Sequence, residues 1–220
     1  MASFESWMLP HKRRYRRIMA GYQNLYNDSG NWTGGKIGHG QQIGTNRSIA
    51  APTLKAWRGG FVSHSDMLNL SVSEAMQIYK VNYWDRIKGD SINSQLLADI
   101  LADMKSSAGG NAIKEMQRTL NDLGESLSID GSFGSATLAA LNRKILLIGE
   151  AKIYNRFRER MVAYYKSINN PYEKQLIGSL NRDYPPIKTG LQQVGTAVVV
   201  VVAVLLFSYG AYQYKLARAA

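Results

Sequence analysis

From Val194 to Tyr214 the chain carries no Asp, Glu, Lys, Arg or His. At 1.5 Å of rise per residue such a run makes a helix of about 30 Å, close to the hydrocarbon thickness of a bilayer. Val198 to Val202 are β-branched throughout, which would also suit a buried strand, but strands are far shorter than this run. The expectation is a single transmembrane helix. Phe207, Tyr209, Tyr212 and Tyr214 gather at its C-terminal end as an interfacial aromatic belt would, and Lys215 and Arg218 follow. Those two cations suit a cytoplasmic C-terminus, although Arg182 and Lys188 on the other flank make the charge asymmetry slight.

The remaining chain is long enough for one sizeable core or two small ones. Its net charge of +11 calls for a polyanionic partner: cell-wall polymer, anionic lipid or nucleic acid. Nucleic acid is the weakest of these, because no DNA- or RNA-binding signature is present. The absence of cysteine removes disulfides, thiolate metal sites and thiol nucleophiles. His11, His39 and His64 are scattered without ligand spacing, so no metal site and no cofactor is expected. The stretch Met1 to Trp7 includes Glu5 and leads into a charged cluster with no apolar run between, so no secretory signal is read there.

Periodicity predicts a mainly α chain. Residues 8 to 20 read as a helix carrying Lys12, Arg13, Arg14, Arg16 and Arg17, a run of the kind that forms a solvated face or rests on an acidic wall or lipid headgroups. Residues 22 to 66 are loop-rich. Ser71-Val72-Ser73-Glu74 has the form of a capping box opening a helix to about Asp85, with Val72, Ala75, Met76, Tyr79 and Tyr83 inward. A second helix starts near Ser94, buries Leu97, Ile100, Leu101 and Met104, and stops near Gly109-Gly110. Asn111 to Leu123 forms another, with Ile113, Met116 and Leu120 inward. Ile129-Asp130-Gly131-Ser132-Phe133-Gly134 is a turn feeding a helix through Leu141, its acid and glycines read as structural. From Ile153 to Ile168, Phe157, Met161, Tyr164 and Tyr165 point inward and Arg156, Arg158, Glu159 and Arg160 outward. Pro185-Pro186 breaks the chain.

The stretch from Met19 to Gly35 is crowded with Gly, Asn, Asp, Thr and Trp, a mixture that suits a polar cleft and equally a surface loop. Trp32 and Trp57 are candidates for stacking on a sugar ring or for the core. Asp28 is a candidate for orienting water or a sugar hydroxyl, or for an Asx turn.

Gly21-Tyr22, Asp28-Ser29-Gly30 and Gly44-Thr45 through Ser48-Ile49 resemble, in order, the active-site entry of family 108 glycoside hydrolases, the lysozyme-like muramidases of bacteria and their phages. Ala75, Ile78-Tyr79, Tyr83-Trp84 and Asp103 continue the resemblance. Gln117, Leu120 and the Asp130-Gly131 turn resemble the family's peptidoglycan-binding half, as do Phe157, Arg160 and Tyr164-Tyr165. Altogether it covers about residues 15 to 183. The resemblance implies a lysozyme-like α domain with a loop-rich active-site lobe (1–110) and a peptidoglycan-binding-type helical half (111–184). A linker (185–193), the transmembrane helix (194–214) and a basic tail (215–220) would follow. It also implies peptidoglycan as the partner, catalytic positions at Met19 and Asp28, and substrate contacts from Gly21, Tyr22, Trp32, Thr45 and Asp103.

Three positions depart from the pattern. Met19 stands where the family carries its catalytic Glu, Ser106-Ser107 replace Val-Asn, and Ser179 replaces Trp. A thioether has no proton to donate to a leaving oxygen, and general-acid assistance is typically worth about 10²–10⁴-fold. Glu5 is the nearest upstream acid. Three functions follow: a membrane-tethered muramidase of phage or prophage type impaired at position 19, a peptidoglycan-binding protein without turnover, or a bracket between protein partners in an envelope or phage assembly. With the C-terminus inside, the domain would face the wall.

Overall fold

Trp7 and Trp84 stack with ring centroids 5.5 Å apart, and Tyr79 meets Trp7 edge-on at 6.2 Å. All three side chains are buried, and the N-terminal helices are built around them. The computed structural model describes residues 1–23, 32–34, 39–169 and 171–188; Asp28 and the uncharged run at 194–214 lie outside them. Within it, Met1–Tyr184 form one unit and a second begins at Pro185. Among the described residues no helix is long and apolar enough to cross a membrane.

The helix expected over residues 8 to 20 is confined to α2 (Arg13–Met19), and a short α1 (Phe4–Trp7) precedes it. Pro10 lies between them, lacking an N–H and biasing Leu9 away from helical backbone. Among the described residues the loop-rich stretch holds five short strands: β1 (Tyr22–Gln23), β2 (Trp32–Gly34), β3 (His39–Gln42), β4 (Thr45–Asn46) and β5 (Ile49–Ala50). They form two antiparallel sheets, β1-β4-β5 and β2-β3. Arg47 and Ser48, joining β4 to β5, both have positive φ (51° and 57°), which ordinarily favours Gly or Asn. Hydrogen bonds hold them there: Arg47 Nε donates to the Leu70 carbonyl at 2.7 Å, and Tyr79 Oη to the Ser48 carbonyl at 2.9 Å.

Two short helices follow, α3 (Ala51–Arg58) and α4 (His64–Leu68). α5 (Val72–Tyr79) is capped by Ser71, whose hydroxyl accepts from the Glu74 N–H at 3.0 Å. The Glu74 carboxylate pairs with Arg58 at 2.7 Å. α5 does not continue regularly to Asp85: Lys80–Trp84 wind as a π-turn and Asp85–Ile87 as a 3₁₀ turn. On α5 Ala75, Ile78 and Tyr79 are buried while Val72 and Met76 are only partly covered; past the wider turn Trp84 is buried and Tyr83 partly covered.

α6 (Gln95–Ala108) is the central helix, with every residue from Leu97 to Met104 buried. Around it pack α7 (Gly110–Asp122), α9 (Glu150–Ser167) and the π-turn segment; α8 (Ser135–Ile148) and α10 (Glu173–Asp183) pack on α9. The predicted inward residues of α7, Ile113, Met116 and Leu120, are buried, as are Phe157, Met161 and Tyr165 of α9. Arg158, expected outside, is buried and donates from Nη2 to Asn181 Oδ1 at 2.7 Å and from Nε to the Tyr184 carbonyl. Asp130 acts within the turn: its Oδ1 accepts from Ser132 N at 2.8 Å and from Gln117 Nε2 at 2.7 Å. Gln117 Oε1 in turn accepts from Gly131 N at 3.0 Å.

Candidate functional site

Met19 is the last residue of α2 and is 48% exposed. Gly21, with φ of +75°, then turns the chain into β1. On β1, the half-buried Tyr22 lays its ring across Gly44, where any Cβ would overlap the phenol. Tyr22 Oη donates to the Ile43 carbonyl at 3.1 Å and lies 3.0 Å from His64 Nε2, whose ring meets the phenol edge-on at 5.4 Å. Arg47 closes the C-terminal end of α2. Its Nη1 donates to the Ile18 carbonyl at 3.3 Å and its backbone N–H to the Gly21 carbonyl at 3.2 Å, which satisfies acceptors that a helix end leaves free.

The end of α2 therefore brings together Met19, Gly21, Tyr22, Gly44, Arg47 and His64. Thr45 is buried on β4, with its backbone opposite Gln23. The backbone of Trp32 pairs with that of Gln42. Trp57, on α3, is partly covered, and Glu5 is exposed on α1. Arg47 and His64 were not singled out as site residues from sequence. His64 shows no ligand spacing, and nothing in the order Thr-Asn-Arg-Ser marks the arginine as a helix cap.

Asp103, expected among the sugar contacts, lies in the core at 1% exposure. Its Oδ1 accepts from Arg14 Nε at 2.9 Å, and its Oδ2 accepts from Tyr184 Oη at 2.6 Å. Both oxygens are engaged, so it is a structural anion rather than a ligand contact. The basic run on α2 is correspondingly a solvated face only in part, at Arg16. Arg14 is buried at 3% exposure, with its guanidinium 4.5 Å from the centroid of the Tyr79 ring. Burial opposes the Arg14 charge, but Asp103 and Tyr79 outweigh it and hold the guanidinium above its ordinary range. Arg13 pairs with Asp183 at 3.1 Å and Lys12 with Asp99 at 2.8 Å. Burial raises the Asp99 carboxyl against the opposing pull of Lys12 and Gln95.

Ser107, at the family's Asn position, lies 3.0 Å from Tyr165 Oη and donates to the Met104 carbonyl at 3.1 Å. Among the described residues no group of three or more His, Cys, Asp or Glu is placed to hold a metal. A groove of about 460 Å³ lined by Phe4, Val72, Ser73, Met76, Gln77 and Lys80 is apolar and offers no acid.

Residues 18–109 match the family model described as Glycosyl hydrolase 108, and residues 111–181 match that described as Predicted Peptidoglycan domain. Two segments of the chain, one after the other, are thus similar to these two families. The glycosyl hydrolase 108 segment opens at Ile18, so Met19 and its neighbours stand at its very start. The structure of Brucella abortus SagA is similar, with a TM-score of 0.65 over 82% of this chain and 92% of that one. At 22% identity the likeness concerns the fold. None of the curated proteins compared with the chain matches it.

Proposed function

We propose that the chain is a peptidoglycan-directed, muramidase-like protein that binds the glycan strand and turns it over slowly or not at all. The carrying observation is the exposed Met19 at the end of α2, beside Gly21 and Tyr22, at the start of the glycosyl hydrolase 108 segment. A residue there reaches solvent, where a ligand would lie. A carboxyl at that place could protonate a leaving oxygen; a thioether cannot. The peptidoglycan-domain segment supports the choice of polymer, and the net charge of +11 suits its acidic groups.

The test compares the unaltered chain with Met19→Glu. Both are expected to sediment with insoluble peptidoglycan, and only the variant should clear a suspension of it, by about 10²-fold or more over the unaltered chain. Rapid clearing by the unaltered chain would overturn the impaired reading. Failure of both to bind the wall would overturn the peptidoglycan reading and leave the bracket between protein partners.

The reading includes a membrane anchor at 194–214, supported by the absence of charge and the terminal aromatic cluster. The chain is expected to stay in the membrane fraction through alkaline carbonate, with Met1–Tyr184 on the wall side and open to added protease. Release by carbonate would rule the anchor out.

A further inference from the structure

Arg47 grips the chain on both sides of the α2 tip. Its Nη1 donates to the Ile18 carbonyl at 3.3 Å and its own N–H to the Gly21 carbonyl at 3.2 Å, with Met19 and Ala20 between them. The Ile18 carbonyl belongs to the peptide unit that ends at the Met19 Cα, so standard bond lengths put Nη1 within about 6 Å of that Cα. Nε donates at 2.7 Å to the carbonyl of Leu70, a buried residue between α4 and α5. The grip therefore has a fixed point outside both α2 and its sheet. A guanidinium also suits the end of a helix where the peptide dipoles are negative. Gly21, at φ of +75° and with open space where a side chain would stand, is the hinge that this grip stiffens.

The backbone that carries Arg47 is itself held in an unfavourable form. Arg47 and Ser48 both lie in the left-handed region, which is costly for residues other than glycine. The buried Tyr79 keeps them there through the Ser48 carbonyl. Strain of this kind persists where the surroundings over-determine it, and it gathers at ligand clamps. We propose that Arg47 is the positioning residue of the α2 tip, holding Met19 and Tyr22 where they meet the glycan. This rests on the peptidoglycan reading and adds the residue that sets the geometry of its site.

Titration calorimetry of the full chain in detergent, with the neutral tetramer of N-acetylglucosamine as probe, tests the assignment. An uncharged probe gains nothing from the Arg47 charge as such, so a loss of affinity reports geometry. Arg47→Gln keeps a side chain on the same strained backbone. It is expected to weaken tetramer binding about tenfold, at a temperature where thermal melting shows it folded. Arg47→Lys, which still offers a donor, should recover part of the loss. Asn46→Ala is the control: Asn46 is buried next along β4 and donates to the Met67 and Leu68 carbonyls at 2.8 and 3.2 Å. Its loss should lower the melting temperature and leave the affinity unchanged. Full affinity in folded Arg47→Gln, or an equal loss in folded Asn46→Ala, overturns the assignment. Sedimentation of the unaltered chain with insoluble peptidoglycan, but no binding of the tetramer, also overturns it and leaves the peptidoglycan reading standing. Binding of neither sinks both.

Discussion

One carboxylate, Asp103, ties together α2, α6 and the end of α10, through Arg14 on one oxygen and Tyr184 on the other. Removing one partner of a buried pair leaves an uncompensated charge, at a cost of about 3–5 kcal/mol. Asp103→Ala should therefore lower stability by that amount in urea unfolding, and replacing Arg14 by Met in the same chain should recover most of it. The sequence offered no way to see this. An aspartate one turn beyond Asp99 looks like part of a polar helix face, and only tertiary packing decides whether that face meets water or an arginine. The same limit hid Arg158, whose spacing on α9 suggests solvent and whose guanidinium holds the Tyr184 carbonyl. Gln117 and Asp130 were readable because their partners lie within a few turns of chain, where local chemistry dominates.

At the scale of elements, α6, α7 and α9 were legible to within a few residues because local signals bound them. Ser94 caps α6 through the Leu97 N–H at 3.1 Å, Gly109 ends it with φ of +59°, and Gly149 precedes α9 with φ of +79°. The π-turn at Lys80–Trp84 had no such signal; it ends at Trp84, which is buried against Trp7. The end of α10 makes a separate prediction. Tyr184 Oη sits among Asp103 and the Asp99 carbonyl, and burial followed by the Asp103 charge pushes its phenol well above the ordinary value. The native state thus holds the Tyr184 proton more tightly than the unfolded chain does. Its contribution is complete below the unfolded phenol value of about 10 and is lost as pH rises from there towards the native one. Unfolding followed by circular dichroism should show stability falling above about pH 10. In Tyr184→Phe that decline should be shallower, from a lower starting stability.

For the whole molecule, the two family segments meet between α6 and α7, yet both lie within the single unit Met1–Tyr184. α6 is buried all round, and part of its cover comes from α7 and α9 of the second segment. A fragment ending at Gly110 would expose that surface and lose the Tyr184 hydrogen bond to Asp103. It is expected to lack a cooperative thermal transition, and adding residues 111–184 as a separate fragment should restore one. Periodicity was enough to anticipate a mainly helical chain, because it reflects local pattern, whereas the lysozyme-like architecture was implied only by the resemblance of short motifs in order. The cluster at the end of α2 was legible only in part: Met19, Gly21 and Tyr22 are neighbours along the chain, whereas Arg47 and His64 reach them through folding of the β4–β5 and α4 regions.

Tyr184 is the last residue of the unit Met1–Tyr184, and its hydroxyl is fastened to Asp99 and Asp103 of α6. A pull on the chain at Tyr184 would be delivered to the Asp103 carboxylate, and through its pair with Arg14 to the first turn of α2.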